Sequence, residues 1–393
     1  MKRSMSPLKF VSAVCSLALG SCLAQAGDRL FVANEKIPNA VRILDTQTNS
    51  LVGALDHPVW TTQGRGRYLT FAPDRHLWVV DDDSDGVFEF DTNLSFVRTL
   101  YIPGVDGPGG IVFDSEGLLY LVSFRNRTLF KYDLQNAQVI WQLELGSLEP
   151  NYVKIGHGGN LFITGNGGRR IEERDRSDGR LICTYSSGVS GPYAGLAFRD
   201  GTRFFAANTG DVGSPPQIEE YDASFCGAPP IREASIGVRP VTHAGLAMGR
   251  DGFLYTVRTN ESGEGRVLRI DPDSFVILAE LSQGTLPLAG NQDIEFSPCS
   301  DADGDGLTTC AGDCDDLNAA IHPGEAELPG NLVDENCDGS LGACDPATAW
   351  KNHGQFVRCV AHEVDALVAA GAITEAEGDL LIQSASQSGV GKK

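Results

Sequence analysis

Asp45, Asp91, Asp133, Asp175, Asp222 and Asp271 each close a short apolar run, at intervals of 46, 42, 42, 47 and 49 residues. Ahead of them the same order returns: an apolar strand, a polar turn with Asp or Gly, a second apolar strand, a variable loop and a third strand. LTFAPDRHLWVVDDDSDGVFEFD (69–91) and GIVFDSEGLLYLVSFRNRTLFKYD (110–133) are full copies. GLAFRDGTRFFAANTGD (195–211) and GLAMGRDGFLYTV (245–257) restart the pattern later, and a fourth strand follows the aspartate, as at 139–145 and 276–281. A four-stranded unit of this period is a propeller blade. Six marks predict six blades, an all-β fold, over residues 27–298. Alternation within the runs fits blades packed on both faces.

The first repeat starts late, because Asp28-Arg29-Leu30-Phe31-Val32 already reads as its second strand. The missing first strand is predicted after the sixth blade, at 291–298. Such an exchange closes the ring and removes exposed sheet edges.

These repeats resemble the NHL and SMP-30-like six-bladed propellers across 27–298. The resemblance implies fold, not activity. Enzymes of this type place ligands or bases near the start of the innermost strands, where this chain has Asn151, Tyr193, His243, Asn291 and Asp293. The SMP-30-like lactonases hold a divalent metal there with one Glu, two Asn and one Asp, and that full set does not line up here. His243, in Thr242-His243-Ala244-Gly245, is the candidate channel base, against the plainer reading of a hydrogen-bonded histidine at a strand start. Asp82, Asp83 and Asp85 crowd one loop of blade two, where a solvated acidic loop is the plainer reading than a cation site.

Residues 299–345 hold twelve Asp or Glu, five cysteines and no Lys or Arg. Unpaired carboxylates repel and are costly to desolvate, so a packed segment of this kind calls for a hard cation. Asp301, Asp303 and Asp305 take alternate positions, Gly306 permits a sharp turn and Leu307 offers a backbone carbonyl, in the order that wraps oxygens around calcium. An EF-hand would need Glu at position twelve, where Gly312 stands, so this is not one. Further oxygens are expected from Asp313, Asp315, Asp316, Glu327, Asp334 and Asp338.

The order DADGDG, GDCDD, PGEAE, DENCDG resembles the MopE-type metal-binding repeat of secreted bacterial proteins over 299–340. The resemblance implies calcium on Asp301, Asp303 and Asp305, joined by Asp313, Asp315, Asp316 and Glu327. Many such repeats carry Cys just after the Glu of the PGxxE stretch, where Leu328 stands here. The usual disulfide is then absent or rerouted to Cys299–Cys310, and Cys314 with Cys337 would staple GDCDD to ENCDG. Six tail cysteines allow 15 pairings, so the connectivity stays open. Zinc is disfavoured, since paired CxxC knuckles are missing. Copper would call on Trp350, His353 and His362, whose simpler role is packing and capping.

Beyond the acidic segment, Asp345-Pro346 reads as N-cap and first helical residue of a helix running to Ala370, with Phe356, Val360, Val364 and Leu367 at helical spacing and Gly371 as its stop. Thr374-Glu375-Ala376-Glu377 reads as a capping box for a second helix to about Ser384. A Cys344–Cys359 bridge would pin this short helical hairpin.

Lys2, Arg3 and Lys9, an apolar run over 10–19 and Ala24-Gln25-Ala26 make a signal peptide of residues 1–26. Leu19-Gly20-Ser21-Cys22 offers the alternative of a lipoprotein anchored through Cys22. Eight cysteines remain after it, an even number that suits disulfides in an exported chain, and Cys183 with Cys226 is expected to bridge two adjacent outer edges. A net charge of −21 argues against nucleic acid as a partner, and no later stretch is long and apolar enough to span a membrane.

The domain reading is signal peptide 1–26, six-bladed β-propeller 27–298, acidic Cys-rich calcium-binding module 299–343 and helical module 344–393. The expected function is a secreted calcium-binding protein acting in binding, adhesion or extracellular scaffolding, with a protein or glycan ligand on the propeller face and a mainly structural metal. A propeller hydrolase, lactonase or lyase is the first alternative. A self-associating subunit of a surface layer or filament is the second.

Overall fold

The structure, a computed structural model, describes residues 29–33, 41–46, 48–55, 66–188, 191–199, 201–210, 215–235, 242–259, 265–281, 293–299, 303–308, 313, 315, 318–337 and 339–392. The expected signal peptide and its Cys22 lie outside them. Two compact units divide between Cys299 and Ser300.

The first unit is a six-bladed β-propeller, with twenty-four strands among the described residues. Blade one holds β1 (Arg29–Ala33), β2 (Val41–Asp45) and β3 (Ser50–Leu55). Blade two is β4 (Gly66–Phe71), β5 (Leu77–Asp81), β6 (Gly86–Phe90) and β7 (Phe96–Leu100). Blade three is β8 (Pro108–Phe113), β9 (Leu119–Ser123), β10 (Thr128–Asp133) and β11 (Gln138–Glu144). Blade four is β12 (Pro150–Ile155), β13 (Leu161–Gly165), β14 (Ile171–Arg174) and β15 (Leu181–Tyr185). Blade five is β16 (Tyr193–Phe198), β17 (Arg203–Asn208), β18 (Gln217–Asp222) and β19 (Arg232–Ser235). Blade six is β20 (Thr242–Met248), β21 (Leu254–Thr259), β22 (Gly265–Ile270) and β23 (Ile277–Leu281).

The exchange expected from the sequence is present. β24 (Ile294–Phe296) pairs antiparallel with β1, setting Val32 against Ile294 and Leu30 against Phe296, and becomes the innermost strand of blade one. The innermost strands then follow one another around the ring as β24, β4, β8, β12, β16 and β20, back to β24.

The recurring aspartate is a turn residue. After each third strand its carboxylate accepts backbone N–H groups two to four residues on: Thr48 for Asp45, Asn93 and Ser95 for Asp91, Gln135 and Asn136 for Asp133. Ser177 does so for Asp175, Ser224 for Asp222, and Asp273 and Ser274 for Asp271. This Asx turn sends the chain into the fourth strand. Hydrogen bonds, foremost from Asn136, Ser177, Thr202 and Ser274, lower the pKa of Asp133, Asp175, Asp222 and Asp271.

The core lies in the wedges between blades, which is why the inner strands read as near-continuous apolar runs. On β2, Val41 and Ile43 pack with Leu69, Leu77 and Val79 of blade two, while Leu44 packs with Tyr255, Val257 and Val267 of blade six. Burying each such side chain contributes about 1.5–3 kcal/mol. Cys183 of β15 is disulfide-bonded to Cys226, in the loop after β18.

In the second unit, α1 (His353–Ala370) and α2 (Glu375–Gln387) form the helical hairpin. The expected start at Asp345 and Pro346 is corrected. Asp345 instead turns the chain, accepting from the Ala347 amide and, through its carbonyl, from the Trp350 indole. Asn352 is the N-cap, its side chain accepting from the Gln355 amide at 2.9 Å. Gly371 ends α1 with φ of 72°, the left-handed conformation a glycine cap supplies. The Thr374 capping box is formed with Glu377. The Cys344–Cys359 disulfide ties α1 to the segment before it, and Cys344, Phe356, Val360, Val364 and Ala385 form the small core.

Candidate metal centre

In the acidic segment three carboxylates converge. Ligand atoms of Asp303, Asp305 and Asp313 all lie within 4.8 Å of one another. The local cause is a string of Asx turns. Asp303 Oδ1 accepts from the Asp305 amide at 3.2 Å, Asp305 Oδ1 from the Leu307 amide at 2.6 Å, and Asp313 Oδ1 from the Asp315 amide at 2.9 Å. Each turn engages Oδ1 and sets Oδ2 to the other side. Gly304 and Gly306, with φ of 80° and 93°, make the turns that an L side chain would strain. Among the described residues, the Oδ2 atoms of Asp303 and Asp305 are buried without a hydrogen-bond partner. Two buried anionic oxygens left this way, beside the buried Asp313, fit one hard divalent cation.

Leu307 enters this geometry through its amide. Asp315 and Glu327 are half-buried and lie outside the converging trio, the Glu327 stem packing near Gly342. Asp301, Asp316 and Asp338 lie outside the described residues, as do Cys310 and Cys314. Cys299 and Cys337 are each disulfide-bonded. Asp334 instead accepts the Gly339 amide at 2.8 Å.

Two residues were missed by sequence reasoning. The His322 Nε2 atom stands 3.7 Å from Asp305 Oδ2 and 3.0 Å from Glu325 Oε1, and Nδ1 lies 3.2 Å from the Pro323 carbonyl. That carbonyl, with the charges of Asp305, Glu325 and Asp313, raises the His322 pKa. Buried Glu335 accepts from the Leu328 amide and the Asn331 side chain, and its carbonyl accepts from the His322 amide, so it organises the loop. A histidine beside a proline and the single Glu of DENCDG carry no spacing signal that would mark either.

The helical residues weighed for copper do not converge. His353 sets its ring nitrogens against the carbonyls of Val390 and Ser386, Trp350 packs on Phe356 at 5.3 Å, and the His362 side chain is 82% exposed.

The propeller axis holds a different kind of polar site. Tyr152 of β12 donates to Asp293 Oδ1 at 2.7 Å, and Lys154 is paired with Glu295 of β24. β24 and β12 are opposite each other in the ring, so both contacts cross the axis. Asp293 also accepts from the Ile294 and Leu69 amides. Burial raises the Asp293 pKa against the opposing charge of Lys154, and burial lowers that of Lys154. Asn151 bonds to Asn166 and Thr164. Tyr193 donates to buried Glu219, which also receives Tyr221 and Asn208. His243 lies in β20 with its side chain outside the described residues, as is Asn291. Among the described residues no trio of metal-ligating side chains forms on the axis. In the blade-two loop Asp82 pairs with Arg67, and Asp85 with Arg125 and the Gly107 amide, while ligand atoms of Asp81, Asp82 and Asp83 lie within 4.8 Å of one another.

A family model described as "Putative metal-binding motif", of MopE type, matches residues 313–341. No curated protein matches the chain. Among solved structures, a protein of unknown function from Bacteroides caccae is 12% identical with a TM-score of 0.53, over 68% of this chain and 99% of that one. A chain of a nidogen/laminin complex is 16% identical with a TM-score of 0.53, over 70% and 100%. A virginiamycin B lyase from Staphylococcus aureus is 14% identical with a TM-score of 0.48, over 75% and 95%. At these identities the first two show the propeller fold alone.

Proposed function

We propose that this chain is an exported calcium-binding protein whose NHL/SMP-30-like propeller is a binding or adhesion module. Its acidic segment carries a calcium ion whose work is structural. The observation that carries the reading is the convergence of Asp303, Asp305 and Asp313, with buried Oδ2 atoms on the first two that accept no hydrogen bond among the described residues. An all-carboxylate set is hard, which favours calcium over zinc or copper. A segment with so little core gains its order from metal and disulfides together. Export is supported by the disulfides Cys183–Cys226 and Cys344–Cys359, which need an oxidising compartment. The partner is a protein or glycan on the propeller face. The lactonase or lyase reading is disfavoured because Asp293 spends its oxygens on Tyr152, Ile294 and Leu69.

Metal content of the purified protein, measured by mass spectrometry with and without Asp303→Ala, tests this. One calcium per chain, lost in the variant, is expected. Zinc or copper in its place overturns the assignment.

A further inference from the structure

Arg42, the second residue of β2, is fully buried, and among the described residues none of its three guanidinium nitrogens has a hydrogen-bond partner. The propeller treats its part-buried arginines differently. Arg174, with 12% of its side chain exposed, reaches Glu172 at 2.6 Å, and Arg269 reaches Asp251 at 2.8 Å. Arg42 alternates with Val41 and Ile43, which face blade two, and shares its side of the strand with Leu44, which faces blade six. Its register partner toward the axis, Val32, belongs to the same blade-six cluster. The guanidinium therefore enters the wedge between blades one and six, one residue from the start of β2.

Such a placement is costly. A buried charge without a partner destabilises a fold by several kcal/mol. Arginine cannot escape by losing its proton at neutral pH, so only a counter-anion discharges it. The planar fork of donors matches the two oxygens of a carboxylate or a phosphate. We propose that the wedge between blades one and six is an oxyanion site anchored by Arg42, taking the carboxylate or phosphate group of a small ligand. It is separate from the calcium reading and makes the propeller a receptor for an anionic compound.

Thermal unfolding, with calcium held saturating, tests this in a buffer free of oxyanions and then with phosphate, sulfate or acetate at constant ionic strength. Without oxyanion, Arg42→Met is expected to unfold at the same temperature as the natural protein or above it. Added oxyanion is expected to raise the melting temperature of the natural protein alone, by about 5 °C at a hundredfold excess over Kd. Phosphate or sulfate acting alone would identify a tetrahedral group, and acetate alone a carboxylate. Equal responses in both proteins, or none to any of the three anions, overturn the proposal. Should Arg42→Met fail to fold, crystals of the natural protein soaked in selenate and in bromoacetate decide. An anomalous peak beside the Arg42 guanidinium is expected from at least one, and its absence from both overturns the site.

Discussion

Tyr152 donates its phenolic proton to Asp293 Oδ1 at 2.7 Å across the axis of the propeller, and both residues are buried. The bond joins blade four to the strand that closes blade one, so the closure is held from the far side of the ring as well as by β1.

Loss of that bond is expected to weaken the propeller in a pH-dependent way. Burial raises the Asp293 pKa above its unfolded value, while the Tyr152 hydrogen bond lowers it. A raised folded pKa contributes stability fully present below the unfolded pKa, about 4, and lost as pH rises through the folded value. Tyr152→Phe lifts the Asp293 pKa further, so its deficit grows as pH rises from about 4 toward neutrality. Near neutral pH the loss is about 1–3 kcal/mol. Urea unfolding midpoints across that range check it, and a deficit that stays constant with pH would reject the coupling.

Close approach of the innermost strands predicts a second effect. A Cβ on Gly110 of β8 would stand 2.5 Å from the Val153 amide nitrogen of β12, and one on Gly195 of β16 would stand 2.8 Å from that of Leu246 of β20. These are backbone atoms and cannot rotate away. Gly110→Ala and Gly195→Ala are each expected to cost about 2 kcal/mol or more. Gly53→Ala, whose nearest contact is the Ile43 side chain at 3.4 Å, serves as the mild control. Equal melting temperatures for all three variants would contradict the close-approach account.

These same glycines show how far the sequence carried. Gly110, Gly195 and Gly245 stood in the recurring strand starts, and the aspartates from Asp45 to Asp271 marked the turns, because local chemistry repeats at every blade. The pairing of Cys183 with Cys226 followed from adjacent outer edges. Tyr152 and Asp293 are 141 residues apart and meet only because the ring closes, so no local pattern foretells their bond. Arg42 within VRILD reads as an ordinary strand with one polar residue before its closing aspartate, since alternation does not say what lies across a wedge. Helix α1 begins seven residues after Cα of Pro346, because Asp345 spends its carboxylate on a turn and Asn352 caps better placed amides. In the metal centre the alternate aspartates were legible, whereas His322 reaches Asp305 through a fold of the loop that spacing does not encode.

The Cys344–Cys359 bridge is expected to stabilise the helical unit mainly through its unfolded chain. Its sequence separation of 15 corresponds to about 3 kcal/mol in the loop-closure account. Replacing both cysteines with serine should speed hydrogen exchange at the Val360 and Val364 amides by roughly a hundredfold. Exchange at Leu121, deep in blade three, should not change. Unaltered protection in α1 would show that Phe356, Val360, Val364 and Ala385 hold the unit without the bridge.

On the proposed calcium reading, removal of the ion is expected to open residues 299–345. On that reading the bound ion offsets two of the three negative charges on Asp303, Asp305 and Asp313; without it they repel at close range, since their ligand atoms lie within 4.8 Å. At a thousandfold excess of calcium over Kd the linkage is worth about 4 kcal/mol, so the loss should be large. The segment contains no Lys or Arg, so trypsin is blind to it, and a glutamate-specific serine protease, which needs no calcium itself, is the suitable probe for Glu325, Glu327 and Glu335. EGTA should expose cleavage sites there, added calcium should close them again, and Asp303→Ala should be cut at the chelated rate in either condition. Digestion that ignores both chelator and mutation would mean that the disulfides at Cys299 and Cys337 order the loop by themselves.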